Sequence, residues 1–184
     1  MKLKITILII FCATTHLFAL DVQTLHGQFT QIRQQAMFDQ PQQSKGVFYF
    51  VAPDKMRWEY TEPSSFGLIA NKQDITLLQN GQKKQGNSQH AVQAMVSMIM
   101  QCIAGQFTNN TQFDVATEQQ TDQTIITLTP KKQNRRLTFT KMQITLDQTG
   151  ILAKEVILWE KTGDCTTIQF TNLQVNQPID NTLF

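Results

Sequence analysis

Hydrophobic and polar positions alternate with a period of two along most of this chain. Val47-Phe48-Tyr49-Phe50-Val51 is an apolar run set between Gly46 and Pro53. Met56, Trp58 and Tyr60 alternate with Arg57 and Glu59, so a strand there has an aromatic face and a charged face. The same pattern predicts strands over 66–70, 74–78, 112–118, 123–129, 137–147, 151–159 and 165–175. Asn80-Gly81, Pro130, Thr149-Gly150 and Thr162-Gly163-Asp164 supply the turns between them. Regularly spaced short strands predict a meandering antiparallel sheet, curved toward a barrel.

Residues 90–104 break that period. Val92, Val96, Ile99 and Ile103 recur at four, three and four, the spacing of one helical face. Met95, Met98, Met100 and Cys102 widen the apolar surface nearly all round, and Gly105 is a helix stop. A helix apolar on all sides is either buried in the core or covers the mouth of a curved sheet. In the second arrangement the unbranched, polarizable Met side chains suit varied apolar contents. The pattern leaves both open.

The amino terminus sets the compartment. Met1-Lys2-Leu3-Lys4 is a short basic region, Ile5 to Leu20 is almost wholly apolar, and Asp21 opens a polar chain. This is the form of a secretory signal peptide over residues 1–20, with cleavage after Ala19 or Leu20 and a mature domain over 21–184. The chain carries sixteen Lys plus Arg and fourteen Asp plus Glu. Two of the lysines lie in the leader, so the exported part is formally neutral and a bulk polyanion is a poor partner for it. Cys102 and Cys165 remain after the leader. In an oxidising compartment they form a disulfide or stay as two buried thiols, and the spacing does not choose. Neither sits in a C-x-x-C, so no zinc or redox role is expected.

Residues able to carry chemistry are few. Past the leader the chain has His26 and His90, and no H-E-x-x-H, G-x-S-x-G or phosphate-cradling glycine loop. Glu59 and Glu62 are close in sequence, but Pro63 follows and a solvated strand end accounts for them. No enzyme, metal or cofactor is expected. Lys131-Lys132-Gln133-Asn134-Arg135-Arg136 is the one dense basic run. It is either a solvated loop or a docking patch for an anionic membrane surface or acidic partner. Without interleaved aromatics it does not suit nucleic acid.

What remains is apolar surface with a direction. Phe48 and Phe50 share one strand face, and Met56, Trp58 and Tyr60 share another. In a small closed barrel such residues fill the interior; in a wider one they line a cavity for a chain-like apolar ligand.

Three stretches carry a resemblance to a known family. These are Phe29-Thr30-Gln31, Ser44-Lys45-Gly46-Val47-Phe48-Tyr49-Phe50, and Pro53 to Pro63 with Arg57-Trp58 inside it. Leu128-Thr129-Pro130, Gly163-Asp164 with Thr166 to Phe170, Asn176 and Phe184 follow in order. Together the chain resembles the outer-membrane lipoprotein carrier (LolA) family over about 22–184. The resemblance implies a mainly β fold with helices (α+β): an incomplete antiparallel β-barrel under a helical lid, enclosing a hydrophobic cavity for lipoprotein acyl chains. It assigns Phe48, Phe50, Met56, Trp58 and Tyr60 to the cavity wall, and Met95, Met98 and Ile99 to the lid. It implies a monomeric periplasmic shuttle and three partners: acylated lipoproteins, an inner-membrane ABC-type lipoprotein-releasing complex and an outer-membrane lipoprotein receptor. A non-transporting lipid- or protein-binding module, a sensor or assembly factor, is the alternative on the same fold. The family's lid-holding Arg before the strand-ending Pro is Ala52 here, and its amino-terminal lid helix is largely missing.

Overall fold

The computed structural model describes residues 22–72, 74–84, 113–131 and 139–184. Eleven strands form one antiparallel sheet: β1 (Thr24–Gln34), β2 (Gln42–Val51), β3 (Lys55–Glu62), β4 (Phe66–Asn71), β5 (Asp74–Gln79), β6 (Gln82–Lys84), β7 (Phe113–Gln119), β8 (Thr124–Pro130), β9 (Phe139–Leu146), β10 (Ala153–Glu160) and β11 (Cys165–Val175). Their order is β6-β5-β4-β3-β2-β1-β11-β10-β9-β8-β7. Two meanders, β1–β6 and β7–β11, are thus joined side by side through the first and last strands. The β1–β11 ladder runs from Leu25↔Val175 to Gln34↔Cys165, with a register shift between His26 and Gln28.

The expected meander is present, but the incomplete barrel under a helical lid is not. The described chain is an open sheet whose edges are β6 and β7. The strand edges explain why it stays open. All three residues of β6 are exposed, two of them lysines, and every residue of β7 after Phe113 is exposed. Short, charged or polar edges are poor templates for further pairing. No helical lid belongs to the described structure. Its one helical element is the 3₁₀ turn Asn181–Leu183, so its class is all-β and not α+β. The helix predicted over 90–104 lies outside the described residues.

The sheet has one continuous apolar face. Antiparallel registers line up Leu25, Phe50, Met56 and Ala70 in one row, and Gly27, Phe48, Trp58 and Leu68 in the next. Across β8, β9 and β10, Ile126, Ile144 and Val156 form a row, and Leu128, Met142 and Leu158 another. Burial alternates accordingly, as the period of two requires. The rows fall into two packed clusters. One holds Leu25, Phe29, Phe48, Phe50, Met56, Trp58, Leu68, Ala70 and Ile168. The other holds Phe113, Ile126, Leu128, Phe139, Met142, Ile144, Leu146 and Val156. Half-buried Phe170 packs against both.

The carboxyl-terminal segment crosses the opposite face of β3–β6. Arg57 Nη1 donates to the Leu183 carbonyl at 3.1 Å, and Lys55 Nζ to Asn181 Oδ1 at 3.3 Å. Lys83 Nζ donates to the Phe184 carbonyl at 3.2 Å. Arg57 is itself held by Glu59, at 2.7 Å and 2.9 Å.

Candidate apolar binding site

The aromatic half of the apolar face is built around two glycines. Gly46 lies opposite Phe29 on β1 and Tyr60 on β3. A Cβ on Gly46 would collide with Phe29 Cζ and with the Glu59 carbonyl oxygen. Because Gly46 has none, the Phe29 ring lies across β2 and stacks on Trp58, with centroids 4.0 Å apart. It also meets Tyr60 edge-on at 5.1 Å. Gly27 leaves a second hollow, which Phe48 and Leu173 close over. Phe48 and Trp58 then reach Phe170 on β11 at 5.4 Å and 6.2 Å. Trp58 and Phe170 are three strand spacings apart, about 14 Å in a flat sheet. Curvature and ring length bring them together.

Phe48, Phe50, Met56 and Trp58 are therefore brought into one cluster, but as packed core: 1%, 1%, 0% and 5% exposed. They do not wall an open chamber in this conformation. Tyr60 sits at the rim, half-buried, stacked on exposed Phe66 at 4.4 Å. Its hydroxyl donates to Gln31 Oε1 at 2.7 Å. Burial pushes the Tyr60 phenol above its usual pKa, against the opposing pull of hydrogen bonds with Trp58 and Gln31 and of the Arg33 charge. Met95, Met98, Ile99 and Cys102 lie outside the described residues. Cys165 is a half-buried free thiol, its pKa raised by burial.

Among the described residues, a small hollow of about 10 Å³ opens on this face, lined by Leu25, Phe48, Ile151, Leu152, Ala153, Phe170 and Leu173. That is room for one water at most. Its position matters more than its size, because Leu152 packs on the cluster around Trp58 and Ala153 on the cluster around Ile144. The hollow marks the seam between them, beside Phe170, which packs against both.

Sequence reasoning missed Phe29 and Phe170 as members of the site. Both stand on the alternation, but their importance comes from cross-strand contacts over glycine, which no single strand displays. Among other candidate residues, Glu59 pairs with Arg57, and Glu62 pairs with Lys45 at 3.1 Å. His26 stacks on Tyr49 at 5.8 Å on the opposite face. Lys131 approaches Asp114 at 3.9 Å; Lys132, Arg135 and Arg136 lie outside the described residues.

An apolar sheet face does not by itself name a family, and comparison with known proteins does. The profile of the family described as "Outer membrane lipoprotein carrier protein LolA" matches residues 21–184. The chain belongs to the LolA family. An outer-membrane lipoprotein carrier protein of Methylococcus capsulatus (strain ATCC 33009 / NCIMB 11132 / Bath) is 27% identical over 171 residues, covering 89% of this chain and 77% of that one. The solved structure of MucB superposes with a TM-score of 0.52 at 13% identity, over 89% of this chain and 58% of that chain. A LolA superfamily protein from Nitrosomonas europaea gives 0.46 at 9% identity, over 88% and 90%. The likeness to MucB shows a common fold, and this LolA-family chain shares it across its strands.

Proposed function

We propose that this protein is a periplasmic carrier that takes the acyl chains of a lipoprotein between its two apolar clusters and moves them from the inner to the outer membrane. The observation that carries the reading is the seam: one uninterrupted apolar face, divided into two separately packed halves that Phe170 bridges. A chain-like ligand fits a parting of two preformed clusters better than it fits a round pocket. The family's lipoprotein-carrier relative supports the cargo class.

The energetics allow it. Roughly a dozen methylenes taken out of water contribute about 10 kcal/mol. Each ring pair displaced returns only about 0.5–1.5 kcal/mol beyond its buried area. Opening at the Phe48–Phe170 and Trp58–Phe170 contacts is therefore within what the cargo supplies. Such a protein acts by binding and release and carries out no bond chemistry. In this reading Phe48, Phe50, Met56, Trp58 and Tyr60 become the walls of the opened seam, with Phe29 and Phe170 beside them. Residues 1–20 act as the export signal. An inner-membrane ABC-type releasing complex gives up the cargo and an outer-membrane receptor takes it.

The test adds the purified protein to spheroplasts and assays the medium for acylated lipoprotein. Release as a soluble one-to-one complex is expected, reduced in Phe170→Ser. No release by folded protein would overturn the carrier reading in favour of a binding module that does not extract cargo.

A further inference from the structure

Two large apolar side chains stand mostly in solvent at one turn. Met37 is 92% exposed and Phe38 58%, side by side in the turn between β1 and β2. Scattered exposed apolar residues are ordinary. An adjacent pair at the apex of a turn, both among the most exposed large apolar residues described, is not scattered.

The turn is also held. The Phe38 amide donates to the Gln35 carbonyl at 3.1 Å. Gln34 Nε2 donates to the Phe38 carbonyl at 2.8 Å. From the β10–β11 turn, Asp164 Oδ1 accepts the Ala36 amide at 3.0 Å, and its other oxygen accepts from Arg33 Nη2 at 3.0 Å. Glu160 adds a second carboxylate 3.6 Å from Arg33. The Ala36 and Phe38 amides and the Phe38 carbonyl are thus bonded to the tip's own strand, its own turn and the next turn. The side chains are all that the tip presents.

We infer that this turn is a membrane-docking wedge, in which Met37 and Phe38 enter the interfacial region of a phospholipid bilayer. A small apolar tip braced by backbone bonds at Ala36 and Phe38 fits the headgroup–acyl boundary, where aromatic and long apolar side chains partition. Charge is consistent with this occupant: Lys161, Lys45 and Lys131 and the acids Asp39, Glu62 and Asp114 are mixed around the same end of the sheet. Among the described residues, contact at this end is thus apolar and not a steering of one sign onto the other. Two side chains give a weaker hold than a single fatty-acyl anchor, itself marginal and reversible. The dock is one the protein can leave. Exposed Phe66, at the rim of the aromatic cluster, follows the β3–β4 turn at this same end. A docked tip therefore sets the open end of the apolar face toward the bilayer.

The inference does not depend on acyl carriage, so it is tested without lipoprotein. The purified protein is sedimented with vesicles of phosphatidylethanolamine and phosphatidylglycerol. Binding is expected for the wild type, reduced about tenfold by Phe38→Ser alone and brought to background by Met37→Ser with Phe38→Ser. Neither position is in the core, so thermal unfolding is expected to stay unchanged and to serve as the folding control. In Phe38→Trp, the emission of the new indole is compared with the native background. A blue-shifted difference spectrum and quenching by brominated lipid are expected. Equal sedimentation of wild type and double variant would overturn the wedge, as would an indole that lipid does not quench. Binding confined to native membranes and lost after their proteolysis would replace the bilayer with a membrane protein as the partner.

Discussion

The two halves of the apolar face obey one alternation and use it differently. On β8–β10 the buried residues stand in register, Ile126 beside Ile144 beside Val156, and fill the space as branched side chains do. No glycine occurs within β7–β11. On β1–β4 there are three, Gly27, Gly46 and Gly67, each at a close approach where a Cβ would collide. There the rings lie down across neighbouring strands. Branched residues in register make a half with little freedom to rearrange. Flat rings over glycine are held by stacking and not by interlocked branches, the arrangement that the proposed uptake of varied apolar chains calls for.

The largest effects should separate stability from uptake. Trp58→Ala removes the plate that touches Phe29, Phe48, Tyr60 and Phe170, and is expected to cost about 3–5 kcal/mol. Ile144→Ala, fully buried in the other half, is expected to cost roughly 2–4 kcal/mol. Urea unfolding measures both. Cargo released per folded molecule is expected to fall in the first variant and hold in the second. Equal losses of uptake would mean that the two halves act as one core and that the seam has no special role.

Gly46→Ala probes the same contrast through the backbone. The new methyl meets the Glu59 carbonyl and the Phe29 ring at once, so the Phe29–Trp58 stack must break. A loss of about 1–3 kcal/mol is expected, as for overpacked cores, with a change in near-ultraviolet circular dichroism from the displaced rings. An unchanged aromatic signal would show that β2 moves aside and that Gly46 does not set the stack.

Much of this architecture can be read from the sequence, for a physical reason. Alternation and turn residues are local, so β2–β5 and β8–β11 stand close to where the pattern puts them. Asn80, Gly150 and Gly163 take the positive φ angles that mark the turns. The strand β1 is harder to see, because Gln31 and Arg33 continue the apolar face of Leu25 and Phe29 with polar residues. Whether the sheet closes depends on its two edges, β6 and β7, and on whether their backbones find partners, which the pattern of one strand does not display. Whether the aromatic side chains wall a cavity or pack on each other depends on glycines in neighbouring strands. The resemblance had implied an incomplete barrel under a helical lid; neither edge chemistry nor ring packing is encoded in one strand's periodicity.

A smaller effect belongs to the rim. Tyr60→Phe keeps the stack on Phe66 and removes the hydrogen bond to Gln31, so a loss of about 0.5–1.5 kcal/mol is expected. A melting curve superimposable on wild type would assign the Tyr60 hydroxyl to solvent in the working protein.

The smallest effect concerns how the halves are fastened at one end. Asp164, in the β10–β11 turn, accepts the Ala36 amide and the Arg33 guanidinium, so it ties the turn beyond β1 to the far meander. The Ala36 amide first, then Arg33, hold its carboxyl below the usual carboxylate range despite the opposing effect of burial. A carboxylate whose pKa is lower folded than unfolded contributes its stability above the unfolded value, near 4, and loses it as pH falls through the folded value. Wild type is therefore expected to lose stability more steeply than Asp164→Asn as pH drops below about 4. At neutral pH the variant should be the weaker of the two. Chemical unfolding at several pH values measures both slopes. Parallel curves would mean that the tie between the meanders does not rest on this carboxylate, and that the β1–β11 ladder alone holds the halves in line.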